Sequence, residues 1–215
     1  MGGDSKNDMI LEASTRVFPR VGYHAATVAD VLREANVARA TFYARFSGKR
    51  ELFTAVIQGM IDEVLSEITL SVDGIIERFG DTGPGAPNDE LVERLLVELM
   101  TTIFAFIERN RGMARVFLHE LVGIDDEMTR LFYDFQEKLT DQFARLVAYG
   151  REIRYLRDTD SRLTADFIVG GLIHLARAFS AGVGDYDIDE VCRQFVELQL
   201  KGLMRADTRE EGVTA

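Results

Sequence analysis

The sequence predicts an all-α protein with nine helices in two domains. Its apolar residues recur at helical spacing through long stretches, and only three of its 215 residues are proline, which disfavours a helix interior. Hydrophobic residues make up 47% of the chain, which is enough to build a core and excludes global disorder. A chain of this length holds one large domain or two small ones.

The first helix is expected to begin near Asp4 or Ser5, since both residues are good N-caps. Its inner stripe follows the helical period and comprises Ile10, Ala13, Ser14, Val17 and Phe18. Pro19 is expected to end or kink this helix, because proline removes a backbone donor and crowds the preceding turn. Gly22 then permits the left-handed conformation that stops a helix.

The next two helices form a pair with a tight turn between them. Thr27 is placed to cap the second helix, and Asp30 stands where it can complete a capping box. Asn36 follows that helix and tolerates the positive φ that a tight turn requires. The third helix is expected over about Ala38 to Phe46, with Phe42 and Phe46 on one apolar stripe.

The rest of the chain predicts six further helices, of which the one at about 111–122 is shorter than the others. The fourth begins near Lys49 and continues through Ile68, and residues 80–89, rich in Gly and Pro, form a loop. The remaining helices are expected at about 89–109, 111–122, 125–149, 161–182 and 187–206, followed by a frayed tail at 207–215.

Charge is divided unevenly along the chain. The formal net charge is −11, yet residues 1–60 carry net +2 and the remainder carries −13. Residues 35–50 hold Arg39, Arg45, Lys49 and Arg50 and no acidic residue. A slightly basic end on an acidic body predicts that this end meets a polyanion.

These residues carry a family resemblance. The segment VFPRVGYHAATVADVLREANVARATFYARFSGKRELF, residues 17–53, resembles the DNA-binding domain of TetR-type (tetracycline-repressor-like) transcriptional regulators. The family pattern usually has Gly where Asn36 stands and Ser or Thr where Ala38 stands, so this chain lacks a cap at residue 38. The resemblance is specific over residues 5–55 and architectural beyond them.

The resemblance implies a helix-turn-helix domain at 1–55, with the helix-turn-helix at about 27–46, and a ligand-binding and dimerisation domain at 56–206. A helix-turn-helix places its second helix in the major groove of double-stranded operator DNA. Arginine can then offer a bidentate fork to guanine, while hydroxyls and lysine contact phosphate. The residues expected to contact DNA are Thr27, Arg39, Thr41, Tyr43, Arg45 and Lys49.

The second domain is rich in Phe and Met. These side chains either fill a core or wall an apolar pocket for a small-molecule effector. His119 and His174 are either satisfied core histidines or polar anchors inside such a pocket. The candidate ligand residues are Met100, Phe104, Phe117, His119, Phe135, Phe143 and His174, and Phe106, Phe132 and Phe167 are also expected inside.

The resemblance also implies a homodimer formed by the last two helices. A dimer supplies the two reading heads that a palindromic operator requires. Gly170 and Gly171 permit close helix approach, at a cost of about 1 kcal/mol each relative to alanine. The candidate interface residues are Gly171, Leu175, Phe179, Phe195 and Leu198.

Three functional hypotheses follow. The first is a repressor released from its operator by an apolar or aromatic ligand, and the second is a DNA-binding regulator without an effector. The third, a helical enzyme with an apolar pocket, is disfavoured because no catalytic spacing is evident; no catalytic residue, metal or cofactor is expected. Cys192 is the single cysteine, which suits a reducing cytoplasm, and no apolar run predicts a membrane partner.

Overall fold

The computed structural model describes residues 2–80, 88–184 and 187–203, with side chains from residue 6 onward. Within these ranges the chain forms nine helices, which confirms the all-α prediction. Their bounds are α1 (Gly2–Val21), α2 (Val28–Ala35), α3 (Arg39–Tyr43), α4 (Lys49–Gly80), α5 (Asp89–Arg109), α6 (Arg111–Glu120), α7 (Asp126–Glu152), α8 (Ser161–Ala181) and α9 (Ile188–Leu203). The predicted loop at 80–89 and the tail fall largely outside the described residues.

The chain divides into two compact units. The first comprises the residues up to 63 together with 107–133, and the second comprises 64–106 together with the chain from 134 onward. These units differ from the predicted domains of 1–55 and 56–206, because residues 107–133, which include α6, pack with the N-terminal helices. In the first unit α1 packs against α2, α3 and α6.

The first helix begins earlier than predicted and ends at Gly22, the predicted left-handed stop. Asp4 and Ser5 lie inside α1, so neither caps it. Of the two effects expected of Pro19, an end or a kink, the first does not occur, since α1 continues to Val21. Proline removes only one donor here, and the helix ends two residues later because Gly22 adopts φ +79°. The stripe from Ile10 to Phe18 is fully buried, as predicted.

Pro19 instead forms the contact between α1 and α6. The Arg115 guanidinium donates a 2.8 Å hydrogen bond to the Pro19 carbonyl oxygen. Gly112 lies against the proline ring so closely that a Cβ at residue 112 would be 2.7 Å from Pro19 Cβ. The missing side chain at Gly112 therefore lets the two helices approach.

Replacing Gly112 with alanine is expected to lower the free energy of unfolding by up to about 2 kcal/mol. Overpacking costs about 1–3 kcal/mol, and the better helix propensity of alanine returns about 1 kcal/mol. Gly59→Ala is the matched control, since a Cβ at residue 59 would have no neighbouring atom within 4 Å, and it should stabilise the protein by up to about 1 kcal/mol. Urea unfolding measures both variants, and equal stabilisation would contradict the close approach.

The second unit has clear helix caps. The Asn88 side-chain oxygen accepts a 2.8 Å hydrogen bond from the Glu90 N–H, and the Asp160 carboxylate accepts one of 2.8 Å from the Leu163 N–H. Gly182 ends α8 at φ +70°. These local signals are why α5 and α8 begin where the sequence predicts.

Helix α8 is long and apolar enough to cross a membrane by length and composition. The same properties belong to the core helix of a bundle. Ala165, Leu172 and Ala176 lie on a buried face of α8 within the second unit. Burial of that face accounts for part of the apolar composition of this helix.

Candidate nucleic-acid interface and internal cavity

Three residues set the start and the end of α2 in the predicted helix-turn-helix. The Thr27 hydroxyl oxygen accepts a 3.2 Å hydrogen bond from the Asp30 N–H, and the Asp30 carboxylate accepts a 3.1 Å bond from the Thr27 N–H. The Thr27 hydroxyl also donates to the Asp30 carboxylate at 2.6 Å, and this bond, followed by the one from the Thr27 N–H, lowers the pKa of Asp30. Asn36 adopts φ 52° and ψ 45° at the end of α2. The predicted capping box and left-handed turn are both confirmed.

Helix α3 is shorter than predicted. It spans five residues and ends at Tyr43, so the expectation of a helix to Phe46 was wrong. After Tyr43 the chain makes one further turn, in which the N–H groups of Arg45 and Phe46 both donate to the Phe42 carbonyl at 2.9 Å. The apolar stripe survives this change, because Phe42 and Phe46 are both buried.

The outer surface of α3 carries the predicted basic and hydroxyl groups. Arg39, Tyr43 and Arg45 are exposed, and Thr41 is half-buried. The Arg39 guanidinium lies 5.4 Å from the centre of the Tyr43 ring and 3.5 Å from its hydroxyl. This stacking restrains a long side chain at the first residue of the helix. Residues near that end are the ones that reach base edges in a helix-turn-helix.

Two other basic residues of the 35–50 segment have structural contacts. The Lys49 ammonium donates to the carbonyl oxygens of Tyr23 and His24, at 2.8 and 3.0 Å, and lies 4.7 Å from the Tyr23 ring centre. Arg50 pairs with Asp125 and Glu127 at 2.9 and 2.7 Å. Arg50 is thus balanced by acids distant in sequence, and Lys49 holds the α1–α2 turn together.

Ala38 leaves α3 without a side-chain cap, as the sequence indicated. Ala38→Ser is expected to raise the free energy of unfolding by about 1 kcal/mol, because a serine hydroxyl can accept a free N–H of the first turn. Ala40→Ser, inside the same helix, should lower it by a few tenths of a kcal/mol. Urea unfolding of the two variants checks this, and an equal response at both positions would contradict a capping effect.

The candidate ligand residues lie in different places. Met100 and Phe143 line an apolar cavity of about 90 Å³ in the second unit. Phe104 and Phe135 are buried outside its lining, with Phe104 packed edge-on against Phe179. Phe117 belongs to the first unit and packs against Phe132, 5.4 Å between ring centres.

His119 and His174 do not lie in the interior. Both side chains are exposed, so the expectation that they are core histidines or polar anchors inside a pocket was wrong for the single chain. The periodicity that placed them with the aromatic residues does not fix the rotation of a helix to within one position, about 100°. His119 also belongs to the first unit, whereas the cavity lies in the second.

The candidate dimer residues are also divided. A Cβ on Gly171 would lie 3.1 Å from Phe195 of the same chain, so the close approach joins α8 to α9 within one protomer. Leu175, Phe179 and Phe195 are half-buried, and Leu198 is 72% exposed.

An exposed row on α8 that contains two large apolar side chains was missed. Leu163, Phe167, Gly170 and His174 recur at helical spacing and are all exposed. Phe167 is 71% exposed, so its assignment to the interior was wrong. The spacing of this row was the signal that could have separated it from the buried face of the same helix.

The fold and the exposed basic surface of α3 define a class of protein, the helix-turn-helix transcriptional regulators. Residues 10–56 match the family described as bacterial regulatory proteins, tetR family, and residues 88–203 match the tetracyclin repressor-like C-terminal domain. The second match alone covers more than half of the chain. The chain belongs to the tetR family of bacterial regulatory proteins.

Curated relatives of this chain are also named as helix-turn-helix transcriptional regulators. The transcriptional activator FasR of Mycolicibacterium smegmatis is 35% identical over 65 residues, and the chain spans only 30% of its length in that match. The uncharacterized regulator YdgC of Bacillus subtilis is 22% identical over 204 residues, 94% of each chain.

Solved structures share the fold at low sequence identity. A TetR-family regulator from Mesorhizobium loti superposes with a TM-score of 0.75 at 18% identity, covering 95% of this chain and 100% of that one. A SmeT–triclosan complex superposes with a TM-score of 0.74 at 14% identity, covering 98% and 95%. At these identities the likeness establishes the fold.

Proposed function

We propose that this regulator is a cytoplasmic homodimeric repressor that binds a palindromic operator through α3 and is released by a small apolar ligand. The observation that carries the DNA-binding part is the division of α3 into two faces. Phe42 is fully buried and attaches the helix to its unit, while Arg39, Tyr43 and Arg45 are exposed on the other side. Arg39 and Arg45 supply the forks that recognise guanine, and the hydroxyls of Tyr43 and Thr41 contact phosphate.

Thr27 and Lys49 have narrower roles in this proposal. Thr27 is exposed, but its hydroxyl already donates to the Asp30 carboxylate at 2.6 Å, so its contribution to DNA is through the free N–H groups at the start of α2. The Lys49 ammonium is held by two carbonyl oxygens. Its third N–H can still meet a phosphate, because an ammonium has three donors.

The ligand-responsive part rests on the cavity in the second unit. An apolar cavity with few polar groups is the usual form of a small-molecule site. SmeT, which shares the fold, was solved with triclosan. A ligand that binds the DNA-incompetent form more tightly lowers DNA affinity through that difference alone. The alternative is a DNA-binding regulator without an effector, in which no ligand occupies the cavity.

The dimer part rests on the exposed row of α8 and on Leu198 of α9. Helices α8 and α9 are joined by a short connection and touch at Gly171 and Phe195, so they run antiparallel. Phe167 and Leu198 then lie at the same level along the pair. Two large apolar side chains, each exposed by about 70% at this level of the helix pair, favour a protein interface.

The DNA-binding part is tested by the salt dependence of binding to a mixed-sequence duplex. Fluorescence anisotropy should give a log–log slope that becomes shallower by about 0.9 for each phosphate that the protein no longer neutralises. On a duplex that lacks the preferred guanines the two arginines meet phosphates instead, so the Arg39→Ala/Arg45→Ala double variant is expected to bind it somewhat more weakly and with a shallower slope. Arg16→Ala/Arg20→Ala removes equal charge from α1, where both arginines pair with Glu34, and should leave the slope unchanged. Equal effects of the two double variants would contradict the assignment of α3.

A further inference from the structure

Arg39 is held by an aromatic ring, whereas three other exposed arginines of the first unit are held by carboxylates. Arg16, Arg33 and Arg50 each pair with an acidic residue of the same unit, at 2.9, 3.3 and 2.9 Å. The guanidinium of Arg39 instead lies over the ring of Tyr43, 5.4 Å from its centre. The same guanidinium donates a bond of 3.5 Å to the Tyr43 hydroxyl.

The kind of contact decides which part of a guanidinium stays available for DNA. A carboxylate binds the N–H groups at the edge of the guanidinium, which are the groups that recognise guanine O6 and N7. An aromatic ring meets the face of the guanidinium and leaves that edge exposed. The bond from Arg39 to the Tyr43 hydroxyl does use one N–H, but at 3.5 Å it is at the limit of a hydrogen bond and is exchanged for a base at little cost. Arg39 is therefore restrained and still able to read a base.

The ring of Tyr43 is itself fixed by buried aromatic residues of the first unit. It packs edge-on against Phe42, with 5.2 Å between the ring centres and 82° between the ring planes. Phe42 is fully buried and packs in turn against Phe46, which is also buried. Tyr43 is 47% exposed, so part of its ring faces outward, where Arg39 covers it. This row of contacts joins the core of the unit to the guanidinium.

Helical geometry brings the two side chains together. Arg39 and Tyr43 are the first and last residues of α3, and side chains four positions apart lie on one face of a helix. Side chains also lean toward the N-terminus of a helix, which carries the Tyr43 ring over the turn that holds Arg39. Helix α3 has only five residues, and Ala38 gives it no side-chain cap. The contact with Tyr43 therefore supplies order at an end of the helix where the backbone supplies little.

We infer that Tyr43, through its ring, is a positioning residue for base recognition, which holds the Arg39 fork in the orientation that guanine requires. The inference rests on the proposed function, in which α3 binds the operator, and adds a role in specificity to the phosphate contact of the Tyr43 hydroxyl. An arginine loses rotamer freedom when it binds, and a side chain that is already ordered loses less. This benefit arises only where Arg39 meets guanine, so it should strengthen the base preference about threefold to tenfold per half-site.

Two substitutions of Tyr43 separate the ring from the hydroxyl. Competition titrations of the full chain with duplexes altered at single positions measure base preference, and Arg39→Ala identifies the position that Arg39 reads. Tyr43→Leu removes the ring and should lower the preference there about threefold to tenfold. Tyr43→Phe keeps the ring and should retain most of that preference, while its affinity for all duplexes falls alike with the lost phosphate contact. An unchanged preference in Tyr43→Leu, or an equal loss in both variants, would overturn the inference.

The position read by Arg45 is the control within the same molecule. A general disturbance of α3 in Tyr43→Leu would reduce the preference at both positions, whereas lost stacking reduces it only at the position of Arg39. The double variant Arg39→Ala/Tyr43→Leu should have the same preference as Arg39→Ala alone, because no fork is left to position. Thermal unfolding checks that each variant folds. A further loss in the double variant, or an equal loss at both positions in Tyr43→Leu, would overturn the positioning role.

The Arg39→Ala variant also separates this inference from the proposed function. If Arg39→Ala lowers a base preference and Tyr43→Leu does not, α3 still reads DNA and only the positioning role fails. If Arg39→Ala leaves every base preference intact, base reading by Arg39 fails and the inference fails with it. If Arg39→Ala and Tyr43→Leu lower the preference at the same position while Tyr43→Phe retains it, both stand.

Discussion

Replacing Phe167 with glutamate is expected to convert the proposed dimer into monomers. Burying a phenylalanine side chain contributes about 1.5–3 kcal/mol, and a two-fold interface contains the residue twice. The dimer dissociation constant should therefore rise by at least about 100-fold, since each 1.4 kcal/mol is a factor of ten. Sedimentation velocity at micromolar concentration measures the change directly.

The same variant should lose specific operator binding, because a monomer presents a single reading head. Leu70→Glu is the matched control, since Leu70 is 70% exposed on α4, outside α8 and α9. That variant should remain dimeric and bind DNA normally. A Phe167→Glu protein that sediments as a dimer with unchanged affinity would place the interface elsewhere.

Arg39 is expected to set the sequence preference of each half-site. A bidentate contact to guanine is worth about 1–3 kcal/mol of discrimination, and a dimer makes it twice. Arg39→Ala should therefore weaken binding to the preferred operator by about 30-fold or more. Its affinity for unrelated duplexes should change far less, so the loss is chiefly in specificity.

Arg39→Lys separates recognition from charge. Lysine keeps the positive charge but lacks the planar fork and its stacking on Tyr43. We expect it to lose most of the base preference while keeping nearly the full affinity for mixed-sequence DNA. Competition titrations with operators altered at single positions make the comparison. If Arg39→Lys retained the full preference, the residue would act as a phosphate contact only.

The helix-turn-helix could be predicted because its determinants are local in sequence. Thr27 and Asp30 stand three residues apart and form their capping box without help from the rest of the chain. Asn36 tolerates positive φ as a property of its own side chain, whatever surrounds it. The end of α3 at Tyr43 was not predictable in this way, since helix propensity is a weak prior that packing overrides.

Contacts between distant residues limited the rest of the prediction. Pro19 predicts the end of a helix or a kink in it. In the structure its carbonyl is bound by Arg115 and its ring fills the space beside Gly112. The basic segment contains Arg50, but the structure pairs this side chain with acids about 75 residues further along the chain. Neither pairing leaves a periodic signal in the sequence.

The cavity and the dimer surface depend on how each helix is rotated. Neighbouring residues on a helix differ by about 100°, so Gly170 is exposed while Gly171 packs against Phe195. The rotation of α8 exposes Phe167, and the rotations of α5 and α7 direct Met100 and Phe143 into the cavity lining.

Selection of binding sites from a pool of random duplexes tests the central claim most directly, since it asks whether this chain recognises a DNA sequence as a dimer. The pure protein should enrich two inverted half-sites whose centres lie about one helical turn, or a multiple of it, apart. Enrichment of guanine should disappear at one position of each half-site with Arg39→Ala and persist at the position read by Arg45. Recovery of sequences with no two-fold symmetry, or of no enriched sequence at all, would contradict the account.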